Sequence, residues 1–151
     1  MSEQDEDAAF EALMKLREGV RNIVYLDTRG KPTVGIGHLV LPEDGLTVGD
    51  TITDAQVDAF FQRDGAAALA AARTEAARAG ITSSDFIPYL ASVNFQLGTK
   101  WTATFPNTWK MIVNGQYEAA ANALQGTEWA DQTPVRVEDF QKALRALPPK
   151  S

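Results

Sequence analysis

Residues 18–38 read EGVRNIVYLDTRGKPTVGIGH and combine a helix end, two β-prone segments and a turn. The first β-prone segment, residues 23–26, is followed by the turn sequence DTRG and by a second segment, residues 33–38, that alternates with strand period. Apolar and β-branched residues on both sides of a turn that contains Asp and Gly are typical of a β-hairpin. We therefore predict a hairpin that carries Asp27 at its tip and Thr33 on the returning strand.

A second carboxylate, Glu18, precedes this hairpin. It ends a segment in which Phe10, Leu13 and Met14 recur at helical spacing, and Gly19, a residue suited to ending helices, follows it. Hydrolysis of a glycosidic bond needs one carboxylic acid to protonate the leaving oxygen, and one carboxylate to assist a water or the developing charge. The spacing of Glu18 and Asp27 permits these roles, and the fold decides whether both acids face one substrate.

The order Glu, eight residues, Asp, five residues, Thr, followed by VGIGH, resembles the phage-type lysozymes, the endolysins of T-even-like and related phages. Two later segments are also similar to this family: NFQLG at 94–98 and WADQTPVR at 129–136. The resemblance implies that Glu18 is the general acid, that Asp27 assists the attacking water and that Thr33 holds this water.

The resemblance further implies positions that contact the glycan: Leu39, Phe95, Thr108 and Arg136. Arg136 would lie beside Glu18 or beside the sugar. For Leu39 and Phe95, packing in the hydrophobic core is an equally good interpretation.

The single histidine, His38, invites interpretation as a general base, but the resemblance implies a structural ion pair with Asp64 that joins the sheet to the long helix. With one histidine and no cysteine, neither a thiolate metal site nor a histidine zinc site is expected. We predict no metal and no organic cofactor.

The fold class implied is α+β and mostly helical, lysozyme-like, with a small N-terminal hairpin lobe, a long connecting helix and a larger helical C-terminal lobe. The chain would form a single domain, residues 1–151, with the sheet lobe at 18–52, the connecting helix at 53–80, and the helical lobe at 1–17 and 81–151.

Local signals predict the element boundaries. Residues 1–5 are expected to be frayed, and the first helix to cover 6–17. The hairpin occupies about 21–38, and a short third strand follows at 39–42. Thr53 and Gln56 form a capping box that begins a long helix reaching about Arg78, and Gly65 lies inside that helix.

The net charge of −6 argues against nucleic acid as a partner, because phosphate binding requires clustered Lys and Arg. The acidic N-terminal sequence has no apolar segment of the signal-peptide kind, and no apolar run reaches the ~18 residues of a membrane span. We therefore predict a monomer without stable membrane insertion, kept in the host cytoplasm and released to the periplasm and cell wall at lysis. A holin-type release partner is implied by the resemblance.

The function implied is that of an endolysin, a muramidase that hydrolyses the β-1,4 bond between N-acetylmuramic acid and N-acetylglucosamine in peptidoglycan. The mechanism would be inverting, with a general acid and a positioned water. Two alternatives stay open: a lytic transglycosylase, and a catalytically idle wall-binding or virion structural module on the same scaffold.

Overall fold

The computed structural model describes residues 1–150. The elements of this part of the chain are α1 Glu3–Glu18, β1 Arg21–Leu26, β2 Pro32–Gly35, β3 His38–Leu39, α2 Asp54–Arg78, α3 Ile87–Leu97, α4 Trp101–Thr104, α5 Pro106–Val113, α6 Tyr117–Ala123, α7 Glu128–Gln132 and α8 Pro134–Arg145, with short 3-10 helices at Pro42–Asp44 and Ser84–Phe86. The predicted α+β, mostly helical fold class is confirmed.

The chain divides into two compact units. The sheet unit is Glu11–Ala66, and the helical unit is Met1–Phe10 together with the residues from Ala67 onward. The boundaries of the units therefore fall inside α1 and α2. The expectation of one lysozyme domain with the lobe limits given above stays a prediction.

The sheet is an antiparallel meander in the order β1-β2-β3. Its register sets Tyr25 opposite Thr33, and Thr33 in turn opposite Leu39. Val34 pairs with His38 in the next row. The third strand begins at His38 and has only two residues, so the prediction of a strand at 39–42 was one residue late and too long.

The outer edge of β1 is covered by residues 49–52, which follow the sheet in sequence. The amide of Val24 donates to Asp50 O at 2.8 Å, and the amide of Ile52 donates to Asn22 O at 2.7 Å. This pairing satisfies an edge that would otherwise be open to other chains. The apolar residues buried inside the sheet unit are Met14, Val24, Val34, Ile36, Ile52, Val57 and Phe61.

Helix α1 begins three residues earlier than predicted, at Glu3. Ser2 and Asp5 cap each other: the Asp5 amide donates to Ser2 Oγ at 3.1 Å, and the Ser2 amide donates to Asp5 Oδ2 at 3.0 Å. Further along, Glu6 Oε1 accepts from Arg73 Nη2 at 3.0 Å. The expectation of a frayed N-terminus was wrong because these caps and this ion pair hold the first turn.

Helix α2 begins where the capping box predicted. The Gln56 amide donates to Thr53 Oγ1 at 3.1 Å, and the Thr53 amide donates to Gln56 Oε1 at 2.8 Å. The helix runs through Gly65 without a break to Arg78, so its 25 residues extend about 37 Å. Within residues 1–150, no helix combines the length and the apolar character that crossing a bilayer requires.

The helical unit is built around Trp101, which is 1% exposed. Its ring lies 5.8 Å from the rings of Phe140 and Trp109, edge to face in both cases. Trp129 is buried, whereas Trp109 is only half-buried. The short helices α4 and α7 were not predicted, since four and five residues are too few to display helical periodicity.

Candidate active site

Glu18 is the last residue of α1, and its carboxyl group packs against the backbone of Gly37. Gly37 belongs to the two-residue turn between β2 and β3 and has a φ of 63°. A Cβ atom at Gly37 would lie 3.1 Å from Glu18 Oε2, which is closer than ordinary van der Waals contact. The GIGH sequence therefore bears on the candidate acid directly, because a Cβ atom at this position would require the carboxyl group to move.

Asp27 closes the turn between β1 and β2. Its Oδ1 accepts the Arg29 amide at 2.8 Å and the Lys31 amide at 2.9 Å. The hydrogen bond from the Lys31 amide, followed by that from Arg29 and the charges of both side chains, outweighs partial burial and lowers the pKa of Asp27. The Asp27 carboxylate is therefore ionised at neutral pH, and neither of its two amide hydrogen bonds uses Oδ2.

Thr33 is buried, and its hydroxyl donates to Lys31 O at 3.1 Å. Lys31 thus contacts Asp27 through its amide and Thr33 through its carbonyl. The sheet register adds Tyr25 and Leu39 on the two sides of Thr33. Leu39 is 45% exposed, so the interpretation of this residue as part of the core does not hold.

His38 is held between two carboxylates. Its Nδ1 lies 2.6 Å from Asp64 Oδ2, and its Nε2 lies 2.8 Å from Asp44 Oδ2. An imidazolium ring, with an N–H on each nitrogen, satisfies both contacts. Phe60 stacks on this ring at a centroid distance of 4.1 Å.

Asp44 is a site residue that sequence reasoning missed. Besides His38, its Oδ2 accepts the Leu41 amide at 2.9 Å, and its Oδ1 lies 3.5 Å from Arg63. Burial raises the pKa of Asp44, but the Leu41 amide and then His38 and Arg63 oppose burial and bring the net pKa below its usual value. The available signal was an acid three residues after Leu41, a spacing typical of a cap.

The remaining candidate residues lie in the helical unit. Arg136 Nη2 donates to Ser92 Oγ at 3.0 Å and to Ser92 O at 3.3 Å. Phe95 is half-buried, and its ring meets that of Phe10 edge to face at 6.0 Å. Thr108 is 6% exposed.

The structure therefore places Glu18, Asp27, Thr33 and Leu39 in the sheet unit, where Thr33 pairs with Leu39 and His38 contacts Asp64. The other three candidates, Phe95, Thr108 and Arg136, belong to the helical unit.

Comparison with known proteins shows the family to which the chain belongs. The sequence model of the phage lysozyme family matches residues 15–141. Peptidoglycan hydrolase gp36 of Pseudomonas phage phiKMV is 32% identical over 127 residues, which are 84% of this chain. This chain spans only 14% of the length of that relative.

Two proteins of Dictyostelium discoideum, probable T4-type lysozymes 1 and 2, are each 27% identical over 146 residues, covering 82% of this chain and 86% of their own length. The family match contains the helix end, the hairpin and the last helix up to residue 141. The chain belongs to the phage lysozyme family.

Proposed function

We propose that this chain is a peptidoglycan hydrolase of the glycosidase type, which cleaves the β-1,4 bond between N-acetylmuramic acid and N-acetylglucosamine. Family membership and the names of the relatives support the reaction class. The observation that carries the proposal is that two carboxyl groups of the sheet unit have different local environments. Glu18 packs on a glycine backbone at a helix end, and Asp27 is held by backbone amides at a hairpin tip.

The environment of Asp27 supports its proposed role as the carboxylate that assists the attacking water. Its lowered pKa keeps it ionised under conditions in which it has to attract a proton from water. Glu18 is then the group that protonates the leaving oxygen. Two carboxyl groups with distinct roles are what glycosidic hydrolysis requires.

Thr33 is proposed to hold the attacking water. A hydroxyl group has one proton and two acceptor lone pairs, and the proton of Thr33 is directed to Lys31 O. The lone pairs can therefore accept a hydrogen bond from a water that Asp27 assists. Attack by this water on the face opposite the leaving group gives inversion, for which glycosidases hold their carboxyl groups roughly 6.5–9.5 Å apart.

Substrate contacts are proposed for residues of both units. Leu39 presents an exposed apolar surface next to Thr33 in the sheet register, which suits the apolar face of a sugar ring. Phe95, Thr108 and Arg136 would contact the glycan from the helical unit. Within the helical unit, Arg136 donates to Ser92 through Nη2.

The biological role that we propose is lysis of a bacterial host, by a monomer that needs no metal or cofactor. A holin-type partner would release the enzyme from the cytoplasm to the cell wall. Appearance of activity in the periplasm only after coexpression with a holin would support this route.

The decisive experiment measures lysis of outer-membrane-permeabilised Gram-negative cells by the wild type, Glu18→Gln and Asp27→Asn. We expect clearing by the wild type and a loss of roughly 10²–10⁴-fold or more in either variant, the usual contribution of a general acid or base. Asn keeps an Oδ1 acceptor for the Arg29 and Lys31 amides, so Asp27→Asn removes the charge while leaving the turn hydrogen bonds in place.

The products separate the competing functions. Hydrolysis with inversion gives a new α-anomeric reducing end, seen by NMR during the first minutes of reaction. A lytic transglycosylase would give an anhydro product lighter by one water. No cleavage by the wild type would instead favour the idle wall-binding module, and equal clearing by Glu18→Gln would remove Glu18 from the mechanism.

A further inference from the structure

The cations of the sheet unit are concentrated in one segment. Of the six Lys and Arg residues in 11–66, five lie within 15–31, alongside only two carboxylates, Glu18 and Asp27. Residues 39–66 carry the reverse balance, six carboxylates and one arginine. The hairpin is thus locally cationic in a chain whose net charge is −6.

Three of these cations have no carboxylate partner in the part of the chain that the structure describes. Among residues 1–150, Arg21, Arg29 and Lys31 form no ion pair, although Arg29 and Lys31 lie close enough to Asp27 to lower its pKa. Carboxylates outnumber cations in the sequence, and Arg73 alone pairs with three of them, Glu3, Glu6 and Asp7. The hairpin cations are therefore available to an external anion.

Arg21 is also held in a defined position. Its guanidinium carbon lies 4.2 Å from the centroid of the Tyr25 ring, a cation–π contact. Stacking uses the face of the guanidinium group and leaves its N–H edges directed to the side, where a carboxylate can bind to two of them. Tyr25, the ring that Arg21 contacts, is the register partner of Thr33, the proposed water-holding residue.

Lys31 reaches the same region from the hairpin tip. Its backbone contacts Asp27 and Thr33, and its side chain is exposed. Arg21 is thus connected to Thr33 through Tyr25, and Lys31 is connected to Asp27 and Thr33 through its backbone. In peptidoglycan, the peptide stem is attached to the lactyl group of muramic acid, so every bond that the proposed reaction cleaves has peptide carboxylates on the adjoining sugar.

We infer that Arg21, positioned by Tyr25, and Lys31 bind the carboxylates of the peptide stem on the muramic acid at the cleaved bond. This inference deepens the proposed function and rests on it. It assigns to the hairpin a preference for stem-bearing, anionic glycan over neutral glycan. It also explains how an acidic protein holds an anionic wall polymer, since the local charge at the hairpin is positive.

The test measures binding rather than turnover. Soluble, uncross-linked peptidoglycan strands with acetylated amines are prepared in two forms, one with free stem carboxylates and one with these carboxylates converted to neutral amides. The affinity of both forms is measured by fluorescence anisotropy at low and at physiological salt, in a Glu18→Gln background that prevents cleavage. Arg21→Gln/Lys31→Gln is compared with Lys100→Gln/Lys110→Gln, which removes the same charge from exposed positions of the helical unit.

We expect the hairpin double variant to bind the carboxylate form about tenfold more weakly and to lose most of the salt dependence of binding. The amide form should bind equally to all variants, and the control pair should behave as the parent protein. Tyr25→Leu, which keeps both charges but removes the stacking ring, should give a smaller loss.

Equal affinity of the hairpin and control variants for the carboxylate form would overturn the inference, as would an equal loss on both forms. Failure of the proposed function is seen separately, as absence of cleavage by the protein with Glu18 intact.

Discussion

At the scale of single residues, the sheet unit shows how backbone geometry supports chemical groups. Gly37 makes room for the Glu18 carboxyl group, and the amides of Arg29 and Lys31 hold the Asp27 carboxylate. Both arrangements depend on a few backbone atoms, so conservative substitutions should have sharp effects.

Gly37→Ala should impair activity without unfolding the protein. The new methyl group would meet Glu18 Oε2 at 3.1 Å and displace the carboxyl group. Gly45→Ala is the matched control, because Gly45 has a φ of 68° in the same unit and no atom within 4 Å of the added Cβ. Both variants should lose about 1–2 kcal/mol of unfolding free energy, the cost of a left-handed conformation for alanine. Only Gly37→Ala should lose activity, by about tenfold or more, because it displaces the candidate acid. An equal effect of both variants on the rate of lysis would contradict this prediction.

Asp27 should titrate below the ordinary value of 3.8, as measured by ¹³C NMR of its carboxyl carbon. Because the folded-state pKa is lowered, the contribution of Asp27 to stability is present above the unfolded-state pKa and is lost as the pH falls through the folded-state pKa. Activity should follow the same acidic limb, since the water-assisting group must be ionised. A titration at or above 3.8 would mean that the turn does not hold the carboxylate.

At the scale of elements, His38 links β3, the 3-10 helix Pro42–Asp44 and α2. The strand alone has two residues, too few for independent stability. Two carboxylates and the stacked ring of Phe60 therefore fix the position of the strand that follows Gly37.

Asp44→Asn should lower the unfolding free energy by roughly 1–3 kcal/mol at pH 7, because a buried charged acceptor of three hydrogen bonds becomes neutral. The pKa of Asp44 is lowered in the folded state, so the difference between wild type and variant should disappear as the pH falls through that pKa. Urea denaturation at several pH values measures this effect. Glu43→Gln, an exposed neighbour, should change little, and an Asp44→Asn effect independent of pH would contradict the assignment.

Across the whole fold, packing buries an ionisable side chain, Glu75, in the helical unit. Glu75 is 5% exposed, and its Oε1 accepts from Asn94 Nδ2 at 2.8 Å and from Trp101 Nε1 at 3.1 Å. Burial raises the pKa of Glu75 more than these two donors and the charge of Arg78 lower it. The Glu75 carboxyl group connects α2 with α3 and α4 through these two hydrogen bonds. Its buried environment favours the protonated, neutral form of the acid.

Glu75→Gln should therefore increase stability, and increasingly so at higher pH. The folded state binds the Glu75 proton more tightly than the unfolded state, so the wild type loses stability as the pH rises from 4.5 through the folded-state pKa. Glutamine keeps an oxygen acceptor for Asn94 and Trp101 and has no proton to lose. Thermal unfolding from pH 4 to 8 measures the difference, and parallel curves for the two proteins would contradict it. Glu128→Gln provides a control on an exposed carboxylate of the same unit.

Elements with local signals could be predicted from the amino-acid sequence without a fold. The capping box at Thr53 begins α2, the DTRG turn separates β1 from β2, and the spacing of Glu18, Asp27 and Thr33 indicates the family and its chemistry. Such features depend on hydrogen bonds and φ angles within a few residues, so they are readable without a fold.

Contacts between groups on different elements could not be predicted, because they depend on how the elements pack. The contact of Glu18 with Gly37, the second carboxylate on His38 and the burial of Glu75 all join residues separated in the chain. Their energies depend on local desolvation and on exact packing, and a linear pattern carries neither. For the same reason, the sequence pattern of the short helices did not predict that Trp101 is buried against Phe140 in the core of the helical unit.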